Sequence, residues 1–246
     1  MNLGLEHKVV LVTGAAGGLG LVLCKAFAEE GARVVLADVD AERLEAAAAQ
    51  VPGGTPERVD VTDDADVGRL VESVAGAHGS IDVLVPAAGL YQGTAVDDVE
   101  PGAWDRLHAV NVKGTFLSAQ AALRVMTPRR SGSIVILGSI SGQVGGVQSG
   151  VAYATSKAAV IGLTKALARY AGPFGVRVNC VNPGYIEAGM SLGMTPADRE
   201  RTIAATPLRR PGAAEEVASA VVWVASDAAA FVTGAHLDVN GGLLMA

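Results

Sequence analysis

A doubly wound α/β fold, with a parallel sheet covered on both faces by helices, is what the sequence predicts, and three observations carry the prediction. Short Val- and Ile-rich runs of strand length alternate along the chain with amphipathic or Ala-rich stretches of helical length. The chain has 246 residues, 50% of them hydrophobic, enough to bury a full core, and neither a repeat nor a Ser/Gly/Pro-rich linker divides it. The first strand-like run opens directly into a turn of small residues at 14–18. A single domain over residues 1–246 is therefore expected.

The elements follow in order. The first strand is read at 8–13 (KVVLVT), and the first helix, near 18–30, repeats Leu19, Leu23 and Phe27 at helical spacing before Gly31, a residue suited to the left-handed position after a helix. A strand at 33–38 (RVVLAD), a helix near 40–50, a short strand at 55–59, a helix near 64–78 and a strand at 81–85 (IDVLV) come next. One long helix is expected over 102–126, then a strand at 133–138 (SIVILG), a helix over 151–171 and a strand at 176–181 (VRVNCV). The stretch 196–204 is helical, but its surroundings are the least determined, a loop or short helices able to move over a ligand. AHLDV at 235–239 supplies a last strand.

Composition excludes several classes. Glycine, 31 residues, is close to twice its usual share of roughly 7%, yet has no three-residue period and accompanies only 10 prolines, which rules out collagen-like or disordered chains. With 19 basic against 25 acidic side chains and no basic cluster, the formal charge of -6 argues against a nucleic-acid partner. Cys24 and Cys180 are too few for a disulfide framework, and His7, His78, His108 and His236 lack ligand spacing, so no metal is expected. Neither a signal-peptide shape nor 18 consecutive apolar residues occurs, and a soluble, cytoplasmic protein without a membrane partner is expected.

Two segments carry chemistry. VTGAAGGLG, Val12 to Gly20, joins the first strand to the first helix, where backbone N–H groups can face a pyrophosphate; Gly14, Gly18 and Gly20 suit tight turning, close ligand approach and close packing. The spacing is not GxGxxG, and no GKS or GKT follows to make a P-loop. These glycines alone also suit a plain tight turn. Asp38 ends the second strand, where an acid can accept hydrogen bonds from an adenosine ribose and repel a 2′-phosphate; neither Ala37 nor Val39 offers a compensating charge, which selects NAD over NADP. Alone, Asp38 also fits a helix cap. Asp60 fits either contact with the adenine amino group or an N-cap.

The second segment, VAYATSKAAV at 151–160, sets Tyr153 and Lys157 one helical turn apart. A free phenol titrates near 10, too high for a general base at neutral pH. A Lys157 ammonium and a cationic nicotinamide both favour phenolate, and lowering the pKa by about three units needs about 4 kcal/mol. A surface Tyr beside a snorkelling Lys gives the same spacing.

Taken with TGxxxGxG at 13–20, ILGSIS at 136–141, Asn111 in NVKG and the Pro183-Gly184 pair, this segment makes the chain resemble the classical short-chain dehydrogenase/reductase family over nearly its whole length. The resemblance implies a three-layer Rossmann fold with a seven-stranded parallel sheet, a nicotinamide cofactor, and a homotetramer with contacts through the long helices after the fourth and fifth strands. It implies that Tyr153 is the acid/base, Lys157 its partner and a ligand of the nicotinamide ribose, Ser139 the group on the substrate oxygen, and Asn111 the holder of a water linking Lys157 to solvent. It also implies cofactor contacts from Gly14, Gly18, Leu19, Gly20, Asp38, Asp60, Val61, Ala88, Gly89, Pro183, Gly184 and Ile186. Ser139 equally suits a strand-end turn, and Asn111 a local helix bond.

The sequence departs from the family where Asn-Asn-Ala-Gly is usual and Pro86, Ala87, Ala88, Gly89 stand, and where Ala188 replaces a usual Thr beside the carboxamide. Loss of both amides removes hydrogen bonds near the adenosine, and Pro86 removes a donor. Substrate contacts are expected from Ser139, Ser141, Gln148, Tyr153 and Tyr185 within a loop near 185–212, with Gln143, Leu90, Tyr91, Gln92, Met190 and Leu192 nearby. No Arg or Lys belongs to this set, although Arg209 and Arg210 could approach. The expected reaction is NAD-dependent hydride transfer between nicotinamide and a secondary alcohol/ketone, a sugar, polyol or cyclic alcohol. The alternatives are an NADPH-dependent 3-oxoacyl thioester reductase and an NAD-binding protein without turnover.

Overall fold

The computed structural model describes residues 3–146, 149–187 and 194–245. Seven parallel strands form one sheet in the order β3-β2-β1-β4-β5-β6-β7. They are β1 (Val9–Thr13), β2 (Arg33–Asp38), β3 (Thr55–Arg58), β4 (Val83–Pro86), β5 (Gly132–Leu137), β6 (Val176–Pro183) and β7 (His236–Val239). Central strands read as unbroken apolar runs because both faces are covered: every residue of β1 and β4 is buried.

One face carries α1 (Gly18–Glu29), α2 (Ala41–Ala48) and α9 (Ala214–Ala225), whose Phe27, Leu44 and Val221 join β1 and β2 in one apolar cluster. The other carries α3 (Asp64–His78), α5 (Thr115–Arg129) and α7 (Val151–Ala171), packed through Leu70, Met126 and Val160. Phe27 is fully buried, and its truncation to Ala is worth about 3–5 kcal/mol. α1 ends before Gly31 at φ +77°, and Asp63, not Asp60, caps α3 by accepting from Ala65 and Asp66 N–H.

Three features differ from the sequence expectation. The helix anticipated over 102–126 is α4 (Pro101–His108), a π-turn at Ala109–Gly114 and α5. A short helix, α6 (Ser141–Val144), follows β5, whereas α8 (Pro196–Ala205) stands where a helix over 196–204 was expected. α9 had no sequence assignment; its Val-rich run lies across the sheet and α1 and leaves a narrow exposed stripe of Glu215, Ser219 and Trp223. Its last carbonyls, Val224, Ala225 and Ser226, accept from the half-buried guanidinium of Arg177 at 2.8, 2.8 and 3.0 Å.

Between β1 and β4 the strand order reverses, with Thr13 paired to Pro86 at the carboxyl ends. A crevice opens at such a point because the following connections leave toward opposite faces.

Candidate active site

A cavity of about 1040 Å³ occupies that crevice. Gly14, Gly18, Leu19, Gly20, Asp38, Asp60, Val61, Ala88 and Gly89 line it, as do Ser139, Ser141, Tyr153, Lys157, Pro183, Gly184, Tyr185 and Ile186. Sequence reasoning thus picked residues far apart in the chain that the fold brings together. Asn111, Gln92 and Gln143 are not among the lining residues; Gln143 instead donates to Asp238 at 2.6 Å. Gln148, Ala188, Met190 and Leu192 lie outside the described residues.

At one end the backbone sets the shape. Gly14 takes φ +70°, and a Cβ there would stand 2.5 Å from the Ala88 backbone; one on Gly20 would stand 2.1 Å from the Gly14 carbonyl oxygen. Gly17 precedes α1 and no side chain caps that helix, so its first N–H groups face the cavity as an anion site. This cradle fits a pyrophosphate. Asp38 accepts from Ala16 N–H at 3.0 Å and Asp40 N–H at 3.2 Å, which ties the end of β2 to the turn and leaves further lone pairs toward the cavity. Arg43 lines the same wall and donates to the Ala16 carbonyl at 3.1 Å, a positive charge that inspection of Ala37 and Val39 had missed. Asp60 accepts from Thr62 N–H at 2.9 Å and Thr62 Oγ1 at 2.7 Å.

The absence of the family asparagines has a visible cost. Thr13 Oγ1 is buried without a hydrogen-bond partner, while Ala87 N–H is spent on the Thr13 carbonyl at 3.1 Å. Pro86, opposite Thr13, has no N–H to offer.

At the other end, α6 lies directly on α7. A Cβ on Gly142 would come within 2.6 Å of the Lys157 and Ala158 backbone, so the glycine permits the approach that sets Ser139 beside Tyr153. The Ser139 hydroxyl is hydrogen-bonded to the Tyr153 phenol, and its oxygen accepts from Ser141 N–H at 3.1 Å. Tyr91 meets the Tyr153 ring edge-on at 5.1 Å. Lys157 is 8% exposed, and its Nζ lies 5.6 Å from the Tyr153 ring centroid and donates to the Leu137 carbonyl at 2.8 Å.

Burial dominates the protonation of this pair. It pushes the Tyr153 phenol up to about 12, against the hydrogen bond from Ser139, and pulls the Lys157 ammonium down to about 8. The expectation that Lys157 and a cationic nicotinamide together lower the phenol concerns the loaded site; in the protein alone Nζ is aimed at Leu137 and burial sets the direction. In the protein alone Tyr153 is a proton donor, and bringing the phenol to neutrality from there asks for about 7 kcal/mol.

Asn111 sits in the π-turn, a distortion common at functional sites. Its amide clamps the β4–α4 connection: Oδ1 accepts from Leu90 N–H at 2.7 Å, and Nδ2 donates to the Leu90 carbonyl at 2.9 Å and to Ser156 Oγ at 3.0 Å. Ser156 in turn donates to the Tyr153 carbonyl at 2.7 Å. Ile186 bridges to Gly212, closing the base of the later loop. From that loop Met194, Arg201, Thr202 and Ala205 reach the cavity, and Arg106 reaches it from α4. The anticipated Arg209 and Arg210 do not, since Arg209 bonds the Ala204 carbonyl and Arg210 pairs with Glu216. Among the described residues no group of His, Cys, Asp or Glu is arranged to hold a metal ion.

A family model described as Enoyl-(Acyl carrier protein) reductase matches residues 14–244. Over 253 residues the chain is 39% identical to 2-(S)-hydroxypropyl-CoM dehydrogenase 3 of Xanthobacter autotrophicus, covering 99% of each. It is 38% identical to the 3-oxoacyl-[acyl-carrier-protein] reductase FabG of Thermotoga maritima, covering 98% of this chain and 99% of that one. The crystal structure of a short-chain type dehydrogenase/reductase from Mycobacterium marinum superposes with a TM-score of 0.92 at 35% identity, covering 99% of this chain and 98% of that one.

Proposed function

The chain belongs to the short-chain dehydrogenase/reductase family of oxidoreductases, and on that premise we propose that it moves a hydride between NAD and the carbon of a secondary alcohol or ketone. The observation that carries the reading is the Ser139–Tyr153 hydrogen bond, with Lys157 buried one turn on and Asp38 in the same cavity.

The nicotinamide, when bound, supplies the hydride acceptor or donor; proton handling and placement belong to the chain. The first N–H groups of α1 would hold the pyrophosphate, Asp38 the adenosine ribose, and Asp60 with Val61 the adenine. The backbone at Ala88 and Gly89, and at Pro183, Gly184 and Ile186, orients the rest. Ser139 Oγ, with one of its two lone pairs taken by Ser141 N–H, would turn its proton to the substrate oxygen when substrate enters beside Tyr153. Tyr153 Oη gives that oxygen a proton in reduction and takes one in oxidation, the direction that needs the added positive charge. Lys157 keeps donors for the ribose beyond the one spent on Leu137. Asn111 is a positioning residue, holding Leu90 against the helix of Tyr153 through Ser156. Ser141 and Tyr185 face the substrate, a sugar, polyol or cyclic alcohol in the simplest case.

Arg43 supports a second reading, NADPH-dependent reduction of a 3-oxoacyl thioester, in keeping with the relative from Thermotoga maritima. Its guanidinium shares the wall with Asp38 and would supply the positive charge that a 2′-phosphate needs there. A homotetramer is supported by the shallow apolar groove of Val112, Phe116, Ala159 and Leu163 across the π-turn, α5 and α7. We place the enzyme in the cytoplasm; no helix among the described residues is long and apolar enough to cross a membrane.

The test is titration with NADH and NADPH by nicotinamide fluorescence, followed by turnover on alcohols and ketones. Tyr153→Phe should lower kcat by about 10²- to 10⁴-fold with NADH affinity nearly unchanged. Preference for NADPH that Arg43→Gln removes would favour the second reading. Dinucleotide binding without any Tyr153-dependent turnover would leave a binding protein.

A further inference from the structure

We propose, on the basis of the oxidoreductase reading above, that the substrate carries an anionic group away from its reacting carbon and that Arg201 on α8 reads it. Charge around the cavity is unevenly placed. The acidic lining residues described are Asp38 and Asp60, both at strand ends beside the glycine turn, where Arg43 also stands. Elsewhere the charged lining consists of cations alone: Arg106, Lys157 and Arg201. Lys157 is committed to Leu137 and the phenol, and Arg106 comes from α4. Arg201 comes from the loop that follows Tyr185, the side where substrate rather than dinucleotide is expected.

The guanidinium is held rather than loose. Thr195 caps α8 and donates its hydroxyl to Asp198 at 2.6 Å, and Asp198 pairs with Arg201 one turn later. One fork nitrogen is thereby anchored while other N–H donors remain for a planar carboxylate or a sulfonate. Thr202, the next residue, lines the same wall with a hydroxyl already turned back to the Asp198 carbonyl at 2.8 Å, so it contributes shape more than a donor. The neighbouring cations Arg199 and Arg210, paired with Glu187 and Glu216, are not among the lining residues, whereas Arg201 is. Asp198 offsets part of the Arg201 charge, but with Arg106 and Lys157 the described lining on this side keeps a positive excess, which attracts anionic molecules and repels cationic ones.

Butanoate, hexanoate and cyclohexanecarboxylate, each beside its methyl ester, are titrated into the NADH-saturated protein and followed by fluorescence and calorimetry. At least one acid should bind about tenfold more tightly than its ester, a preference that Arg201→Gln removes and Arg201→Lys partly keeps. Equal binding of acids and esters throughout, or equal losses for both in Arg201→Gln, would overturn the inference. Turnover of 3-hydroxybutanoate and 4-hydroxycyclohexanecarboxylate with NAD, and of their esters, is measured in parallel. Tyr153-dependent turnover without acid preference would sink the anion site and leave the oxidoreductase reading intact. Acid-selective binding lost in Arg201→Gln, with no alcohol turned over, would support the site and count against that reading.

Discussion

The dinucleotide end of the cavity is shaped by backbone against backbone, whereas the reaction end is made of side chains carried by α6, α7, α8 and the β4–α4 connection. Gly14 touches the Ala88 backbone and Gly20 the Gly14 carbonyl, so no side chain fits at either position. At the other end Tyr91, Ser139, Tyr153 and Arg201 line the cavity from four separate segments; glycine approaches hold this frame too, at Gly142 against α7 and at Gly150 against the Gln92 carbonyl, but the lining itself is side chain. A site built this way can change its substrate by exchanging exposed side chains while the dinucleotide end stays fixed. The sharpest break of the contrast is Gly14→Ala. With φ at +70° and its new Cβ 2.5 Å from backbone atoms, the turn must move. NADH affinity should fall by at least about 100-fold and stability by roughly 1–3 kcal/mol, read by fluorescence titration and urea unfolding. Arg201→Gln should leave both nearly unchanged; similar damage from the two would erase the distinction.

The same contrast governs what was legible in the sequence. Strands and the glycine turn announce themselves locally, since Val/Ile runs, glycine spacing and an acid at a strand end need no distant partner to be read. The helix α9 was missed because, past Glu215 and Ser219, its apolar run at 220–225 has the length of a buried strand and no polar residue to separate the two readings. The π-turn was missed because its cause is tertiary: Asn111 reaches Leu90 and Ser156, 21 and 45 residues away in sequence. Arg43, Arg106 and Arg201 were invisible as cavity residues for a similar reason, as exposed helical arginines differ from one another only in what the fold sets before them. The burial that raises the Tyr153 phenol in the protein alone was not legible because burial is a property of the whole fold, while Lys157 was visible one turn away.

Lys157 sharpens the comparison in energy. An ammonium held down to about 8 by burial costs stability wherever it is charged. Between about 8 and its unfolded value of 10.5 the unfolded chain binds more protons than the folded one, so stability rises with pH across that window and the penalty is largest below it. Lys157→Met should therefore raise stability at pH 7 by about 1–2 kcal/mol, after allowing for the Leu137 carbonyl left unpaired. The gain should shrink as pH rises from 8 toward 10, and catalysis should be lost. Urea unfolding at pH 7 and pH 9.5 measures it; a variant less stable than wild type at pH 7 would show that Lys157 is held by attraction instead of function.

Thr13 carries the smallest expected effect and separates the two ends most finely. Its hydroxyl lies at the carboxyl end of β1, 2% exposed, with no hydrogen-bond partner, beside a segment whose usual amides are replaced by Pro86 and Ala87. A buried hydroxyl without a partner costs about 1–3 kcal/mol in desolvation, whereas a methyl in the same space costs little. Thr13→Val keeps the β-branched shape, and β1 and β4 surround it with apolar side chains. Stability should rise by roughly 0.5–1 kcal/mol while NADH affinity stays within about twofold, because the cradle here is made of backbone atoms. A loss of affinity without a gain in stability would mean that the Thr13 hydroxyl serves the dinucleotide directly, and the backbone would then not be the sole architect of that end.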